Sequence, residues 1–466
     1  MTVSAGPAGC GAAAVSGLWT DLYELRMAAS YRGREMTAPA TFSLFARRLP
    51  ADRGFLVAAG LADALDVLER YRLDDDELGY LRSAGVLDGR AAALLRGLRF
   101  TGDVWAVPEG RVVFADEPLL EVTAPVAEAQ LVETALLNVV TFQTAIATKA
   151  ARCRLAAGGA QLVDFAMRRT HGLPAAMSVA RAAAVGGFDA TSNVAAARHY
   201  DLRPVGTMAH SYVQAFRDER AAFHAFVVDC PQSPVLLIDT YDTIAGARAA
   251  IEALSALQPR TGGGVRIDSG DLGRLATQVR RMLDAAGLGR VRIMVSGGLD
   301  EHGIETMRGA PVDAFGVGTR MGVSADAPSL DSAYKLVEFA GRPVGKLSPG
   351  KATWPGAKQV YRADGAVDLL ALRAEPAPPG YRPLLEPVMR GGRVLCPETP
   401  AAAVRAARAR RAADVAALPP QVRRLCSPAV PAARPTAALT AARNRFVAAH
   451  SVRAEIAAGV AATPPR

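Results

Sequence analysis

The 466-residue sequence lacks the features that would tie it to a membrane, an oxidising compartment or a structural metal. It has no run of about 18 uncharged apolar residues, so no membrane-spanning helix is expected. Its five cysteines (Cys10, Cys153, Cys230, Cys396, Cys426) are odd in number and form no CxxC pair. That pattern argues against a disulfide framework or structural zinc and points to a reducing compartment, the cytoplasm. The opening residues, MTVSAGPAGCGAAAVSG, carry neither a positive n-region nor an apolar core, so residues 1–17 read as a disordered leader and not a signal peptide. Walker A, HExxH, GxSxG and GxGxxG units are missing from the contexts their chemistry needs. The nearest stretch to a Walker A loop, GRPVGKLS (Gly341 to Ser348), has the wrong spacing.

Lysine is missing altogether beyond residue 400. Eleven arginines stand there against two acids, Asp414 and Glu455, and this tail accounts for the whole net charge of +9. The first 400 residues are balanced. A phosphate-rich partner for the tail is one reading. An arginine-for-lysine compositional bias is the one we adopt, because the arginines are not interleaved with aromatics as in single-strand binders. Nucleic acid is therefore not expected as a partner.

What is present is a change of pattern along the chain. Residues 18–127 mix helical periods with short strands and read as an α+β domain. Thr20 is the expected N-cap of the first helix, ATFSLF (Ala40 to Phe45) a strand, and Gly54 to Tyr71 a helix. Ala129 to Leu155 is one long apolar helix pattern. After it strands and helices alternate, with strands at Gln161, Val235, Val265, Val291 and Ala314 and a strand end at Pro204 to Thr207. This alternation implies a parallel sheet with right-handed crossovers over residues 128–340, open or closed into a barrel. Residues 341–400 return to β-like, Gly- and Pro-rich sequence and are expected to complete the first domain. Residues 401–466 form an Ala/Arg/Pro-rich helical or disordered tail.

Chemistry-bearing residues collect just after the strands, where a barrel or parallel sheet places its site. His210 lies in RPVGTMAHSYVQAF, where a strand has ended and a helix begins, with Thr207 and Ser211 as flanking hydroxyls. A neutral imidazole there can act as base or nucleophile; a partly buried histidine on a helical turn is the alternative. Arg168 and Arg169 in FAMRRTHG suit a phosphate or carboxylate, with a surface ion pair as the alternative. GGFDATSN (Gly186 to Asn193) reads as a turn with a helix cap. Asp239 follows one strand. Arg266 and Asp268, two apart, share a strand face. The turns Ser296-Gly297-Gly298 and Gly318-Thr319 end the last two strands and together could cradle a phosphate through backbone N–H groups. Tyr23, in the first turn of the first helix, is on its own residue type a packed aromatic.

Taken together, TDLYEL, FAMRRTHG, GGFDATSN, VGTMAHSYVQAF, LLIDTYDT, GVRIDSGDL, SGGLDE, FGVGTRM and the YKLVE run at Tyr334 resemble the nicotinate phosphoribosyltransferase family, in family order from Leu18 to about Arg362. LPPQVRRLCSP near the end is similar to the family's C-terminal stretch. Departures are Trp19 for an aliphatic, Ala166 for glycine, and the arginine-rich tail. The resemblance implies an irregular (β/α) barrel of the type II phosphoribosyltransferase kind, with an α+β N-terminal domain completed by the chain after the barrel. It implies that nicotinate attacks C1 of 5-phosphoribosyl 1-pyrophosphate, giving nicotinate mononucleotide and pyrophosphate, with ATP as co-substrate acting through a phosphohistidine and Mg2+ on the pyrophosphate. By motif, His210 is that histidine and Asp239 orients it. Tyr23 reaches in from the other subunit of a homodimer to stack on the pyridine. Thr207 and Arg266 lie near nicotinate. Arg168 and Arg169 serve the pyrophosphate or the nicotinate carboxylate. Asp268 holds the ribose, and Ser296, Gly297, Gly298, Gly318 and Thr319 hold the 5′-phosphate.

Three rivals stand beside this reading. A nicotinamide-using relative shares the fold and most site residues. A barrel lyase would need a Schiff-base lysine at a strand end, where Lys149, Lys335 and Lys346 do not fall. A non-catalytic nucleotide- or nucleic-acid-binding protein would act through the tail.

Overall fold

Six short parallel strands follow one another through the middle of the chain, each leading into a helical segment. In the computed structural model of the protein, which describes residues 15–232, 234–257, 263–365 and 367–461 (backbone only for 451–461), they are Gln161–Asp164, Ala190–Thr191, Val235–Leu237, Gly264–Ile267, Arg292–Val295 and Ala314–Val317. Residues 1–14, most of the expected leader, lie outside the described range. Ser16 and Gly17 are held: the Ser16 hydroxyl donates to Glu77 at 2.6 Å, and the Tyr71 hydroxyl to the Gly17 carbonyl at 3.0 Å.

From one edge the strands run Val235, Gly264, Arg292, Ala314, Gln161, Ala190. This is the cyclic order of a (β/α) barrel, opened at one seam between Ala190–Thr191 and Val235–Leu237. The segment that connects these two edges carries His210. Among the described residues, only a bridge from Thr191 to Pro204 extends the ladder toward it. The sheet is buried and apolar, as parallel strands covered by helices must be; Val163, Ile267, Ile293, Val295 and Val317 are all inaccessible.

The helices start where side chains satisfy their first N–H groups. Asp242 accepts from Ala245 N at 2.7 Å, Asp271 from Arg274 N at 3.2 Å, Asp300 from Gly303 N at 2.9 Å and Asn193 from Ala196 N at 3.1 Å. Of the acids that follow the strands, Asp242 and Asp271 are thus helix caps. Asp239 and Asp268 remain for other work.

The chain divides into two units. One holds Met1–Thr144, Ser329–Thr399 and Ala409–Arg466; the other holds Ala145–Pro328 with Pro400–Arg408. The first is built on a seven-stranded sheet in which Pro39–Ala46 lies between Pro118–Pro125 and Ser332–Phe339, and Asp103–Ala106 pairs with Glu386–Arg390. Four of its seven strands come from beyond the barrel, so the returning chain does complete the N-terminal fold. Leu44 faces Tyr334 across the ladder, Phe42 stacks on the Tyr334 ring at 4.8 Å, and the Tyr334 hydroxyl donates to the Ala129 carbonyl at 2.7 Å. The tyrosine of the YKLVE run is therefore part of this core.

Several local expectations are corrected. The helix expected over Gly54 to Tyr71 begins at Leu61, because Gly60 takes a left-handed φ of 93° and Leu56–Val57 pairs with Val112–Val113 as strand. The first helix starts on Asp21; the Thr20 hydroxyl bonds the Glu24 carboxylate instead of a backbone N–H. The long helix divides into Val126–Leu131 and Glu133–Ala157. GGFDATSN supplies a strand as well as a cap, and the Pro-rich tail contains a strand, Arg434–Pro435, parallel to Leu369–Leu370. The tail forms helices Pro400–Ala417 and Ala437–Ala461. Three of its arginines are used within the fold: Arg405 pairs with Asp201 at 3.1 Å, Arg408 with Asp189, and Arg410 donates to the Glu109 carbonyl at 2.7 Å. No helix among the described residues is long and apolar enough to cross a membrane.

Glu24 in the first unit is fully buried with no cation beside it among the described residues. Burial pushes its carboxyl up to about 7, although Thr20 and Thr134 donate hydrogen bonds to it. The folded protein then holds a proton that the unfolded chain releases near 4.5, so this group makes stability fall as pH rises from about 4.5 to about 7. Urea unfolding across that range should show the loss, at most roughly 3 kcal/mol from this group, and Glu24→Gln should flatten it. An unchanged profile in the variant would show that Glu24 does not carry the dependence.

Candidate active site

The site begins with Arg266, the third residue of the strand Gly264–Ile267. Its guanidinium is held on three sides: Nε donates to Ser296 Oγ at 2.8 Å, Nη1 to Thr207 Oγ1 at 2.9 Å and Nη2 to Asp268 Oδ1 at 2.8 Å. Its face lies 5.2 Å from the centre of the Phe165 ring. The Ser296 hydroxyl also donates to Asp268 Oδ1. Four residues from three separate segments thus meet through direct hydrogen bonds at the C-terminal ends of neighbouring strands.

Asp239 extends the cluster. Its Oδ2 accepts from Asp268 N at 2.9 Å and from Ser269 Oγ at 2.6 Å, while its Oδ1 is buried with no hydrogen-bond partner. His210 opens the short helix His210–Gln214, as its sequence suggests, and its Nδ1 lies 3.2 Å from Thr240 Oγ1. The expectation that Asp239 orients His210 is therefore corrected: Thr240 makes that contact, and Asp239 fixes the turn carrying Asp268. Burial raises the Asp268 carboxyl, but the Ser296 hydrogen bond and Arg266, with His210 nearby, more than offset it and hold it below the usual range. Asp268 accordingly stays ionised through neutral pH.

Gly297 is required by geometry, and Gly298 and Gly318 are favoured there. Gly297 has φ 100°, and a Cβ there would stand 2.1 Å from the Asp268 carbonyl oxygen; Gly298 has φ 64°. A Cβ on Gly318 would press on the Phe165 carbonyl at 3.3 Å. The N–H groups of Gly297, Gly298, Gly318 and Thr319 donate to no protein acceptor among the described residues. Unpaired N–H groups at the ends of adjacent strands form a cradle for an anion.

Arg168 and Arg169 lie on the 3-10 turn Met167–Arg169 that follows Phe165 and Ala166. Both are exposed and neither has an ion-pair partner among the described residues. Asp164, buried at the end of the preceding strand, accepts from Ala166 N and Thr191 Oγ1, both at 2.8 Å, and so fixes this turn. Tyr23 is in the other unit. It is about half exposed, beside exposed Trp19 and Leu22, and burial together with Glu133 and Glu24 keeps its hydroxyl protonated well past neutral pH.

The family model for the nicotinate phosphoribosyltransferase N-terminal domain matches residues 18–141, and the model for the nicotinate phosphoribosyltransferase family matches residues 160–353. The chain belongs to the nicotinate phosphoribosyltransferase family. It is 46% identical over 418 residues to a nicotinate phosphoribosyltransferase of Mycobacterium tuberculosis, covering 88% of this chain and 89% of that protein. It is 44% identical over 356 residues to the Bacillus subtilis enzyme of that name, covering 74% and 72%. In structure it resembles human nicotinic acid phosphoribosyltransferase, with a TM-score of 0.80 and 30% identity over 92% of this chain and 99% of that one. It also resembles a nicotinate-nucleotide pyrophosphorylase from Pyrococcus furiosus, with a TM-score of 0.71 and 28% identity over 86% and 95%.

Where this nicotinate phosphoribosyltransferase family member has Ala166, its methyl is accommodated by Gly322. A Cβ on Gly322 would stand 2.4 Å from that of Ala166. Sequence reading did not assign Thr240, Ser269 or Phe165. The first two sit one residue beyond Asp239 and Asp268, and hydroxyls next to strand-end acids were the available signal. The Phe165 ring under Arg266 has no such signal.

Gly297→Ala tests the frame. We expect a loss of about 2–4 kcal/mol in urea unfolding, from the left-handed backbone and the clash with the Asp268 carbonyl, together with loss of turnover. A variant of wild-type stability would mean that this turn tolerates a side chain.

Proposed function

We propose that the protein joins nicotinate to C1 of 5-phosphoribosyl 1-pyrophosphate, releasing pyrophosphate and forming nicotinate mononucleotide for NAD biosynthesis, with ATP hydrolysis coupled through a phosphorylated His210. The observation that carries this reading is the Arg266–Thr207–Asp268–Ser296 cluster beside unpaired N–H groups, in a chain of this family. The C1–pyrophosphate bond breaks toward an oxocarbenium-like state as the pyridine nitrogen approaches, so positioning and charge stabilisation matter more than a strong base. Ionised Asp268 is placed to accept the ribose hydroxyls. Free N–H groups at Gly297, Gly298, Gly318 and Thr319 suit the 5′-phosphate. Arg168 and Arg169 are unpaired and free for the pyrophosphate or the nicotinate carboxylate. Thr207 and Arg266 border the nicotinate.

With Nδ1 facing Thr240, His210 keeps Nε2 for the phosphoryl group. The γ-phosphoryl passes from ATP to that nitrogen and then to water. Mg2+ fits as an ion carried by substrate. No set of three or more His, Cys, Asp or Glu among the described residues is arranged to hold a metal, and the unpartnered Oδ1 of Asp239 offers one carboxylate oxygen. Bound to the diphosphate, the ion would neutralise the leaving group. We infer a homodimer in which Tyr23 of a second copy stacks on the pyridine; the half-exposed Trp19, Leu22 and Tyr23 support it. The four described cysteines form no disulfide, in keeping with a cytoplasmic enzyme.

Turnover of labelled nicotinate and 5-phosphoribosyl 1-pyrophosphate, with and without ATP, tests the proposal. ATP should stimulate the wild type and not His210→Ala, and Thr240→Val should lose roughly 5- to 30-fold of the stimulated rate. Equal stimulation of wild type and His210→Ala would make His210 structural. Preference for nicotinamide in direct competition would reassign the substrate.

A further inference from the structure

Ser296 has a different place in the site from the glycines that follow it. It is 2% exposed, whereas the turn it opens faces outward. Its N–H donates to the Ile267 carbonyl at 2.9 Å, continuing the ladder with the strand that carries Arg266. Its hydroxyl hydrogen goes to Asp268, and the hydroxyl oxygen accepts Arg266 Nε. A Cβ built on Gly316 would lie 3.1 Å from the Ser296 Cβ, so the side chain occupies a slot of fixed size. Both donors of Ser296 are thus committed inside the protein, and neither is left for a phosphate oxygen.

We propose that Ser296 is a positioning residue, a brace that locks Arg266 and Asp268 to each other, and that the phosphate cradle consists of the N–H groups of Gly297, Gly298, Gly318 and Thr319 without it. This rests on the reading of the site given above. One hydroxyl satisfying a cation and an anion at once fixes the distance between them. Without it Arg266 and Asp268 can still pair, but Nε loses its acceptor and the carboxylate is held by one contact in place of two. The effect falls on the geometry offered to the ribose and not on affinity for its phosphate.

Ser296→Ala should lower kcat for nicotinate mononucleotide formation by about 10- to 100-fold. The Kd for ribose 5-phosphate, measured by calorimetry, should change by less than about threefold. Because the brace acts through Asp268, adding Ser296→Ala to Asp268→Asn should cost far less than it costs alone. Ser296→Cys, which keeps the volume with a weaker donor, should fall between wild type and Ser296→Ala, and serves if the alanine variant folds poorly. A tenfold or greater rise in the ribose 5-phosphate Kd with kcat retained would make Ser296 a phosphate ligand and overturn the proposal, as would additive losses in the double variant. If the wild type makes no nicotinate mononucleotide, the functional reading fails by itself. The Ser296–Asp268 coupling is then read from the same cycle in urea unfolding, where additivity would overturn the brace.

Discussion

A guanidinium in a largely enclosed position is tolerated only when its donors find acceptors, and the second unit is arranged around meeting that condition for Arg266. Only about an eighth of its side chain is accessible. It is satisfied by a carboxylate just past the end of its own strand, a hydroxyl just past the end of the next strand and a hydroxyl from the segment at the seam. Removing any one leaves a partly desolvated charge short of a partner, which costs more than an ordinary surface ion pair returns. The parallel register that sets Met294 opposite Arg266 also brings Ser296 to Asp268. The ladder and the site are therefore one construction, and the turn at Gly297 can reach the Asp268 carbonyl only because it has no side chain.

The seam in the barrel has a similar logic. Among the described residues, five neighbouring strand pairs close by hydrogen bonds, and the sixth does not. The chain between those edges must carry Thr207 to Arg266 and His210 to Thr240. A regular ladder there would turn successive side chains alternately in and out. An irregular segment with one bridge at Pro204 instead lets Thr207 and His210, three residues apart, both serve the same end of the sheet.

Much of this was legible in the sequence because it rests on local pattern. The alternation of apolar strands and capped helices marked the barrel, and Arg266 and Asp268 two apart had to share a face. What was missed depends on contacts between distant segments. Nothing local says that Asp239 will turn its carboxylate to Asp268 N and Ser269, leaving Thr240 to meet His210. Those roles are set by how far two strand ends are offset, a distance no single segment encodes. The same holds for Ala190–Thr191 and Arg434–Pro435, whose strand character comes from pairing partners rather than from their own residues. Conversely, the net charge of the tail was located correctly, and Arg405, Arg408 and Arg410 each find acceptors in the fold, which lowers the positive field the tail can offer to a polyanion.

Arg266, Arg168 and Arg169 are in two electrostatic states. Arg266 is paired, stacked on Phe165 and mostly enclosed; an incoming anion would have to displace Asp268 to gain its full charge. Arg168 and Arg169 are exposed and unpaired, on a turn pinned by Asp164. Their charge is screened by water, and a ligand that displaced that water, as in the function proposed above, would strengthen their contribution. The backbone N–H groups at Gly297, Gly298, Gly318 and Thr319 act in the same direction without adding net charge or side-chain entropy. The proposed substrate, with a phosphate at one end and a pyrophosphate at the other, would use this division. Fixed neutral donors can hold the end that stays. Mobile cations can follow the end that leaves. An internally neutral Arg266–Asp268 pair between them can hold the sugar without adding net charge of its own.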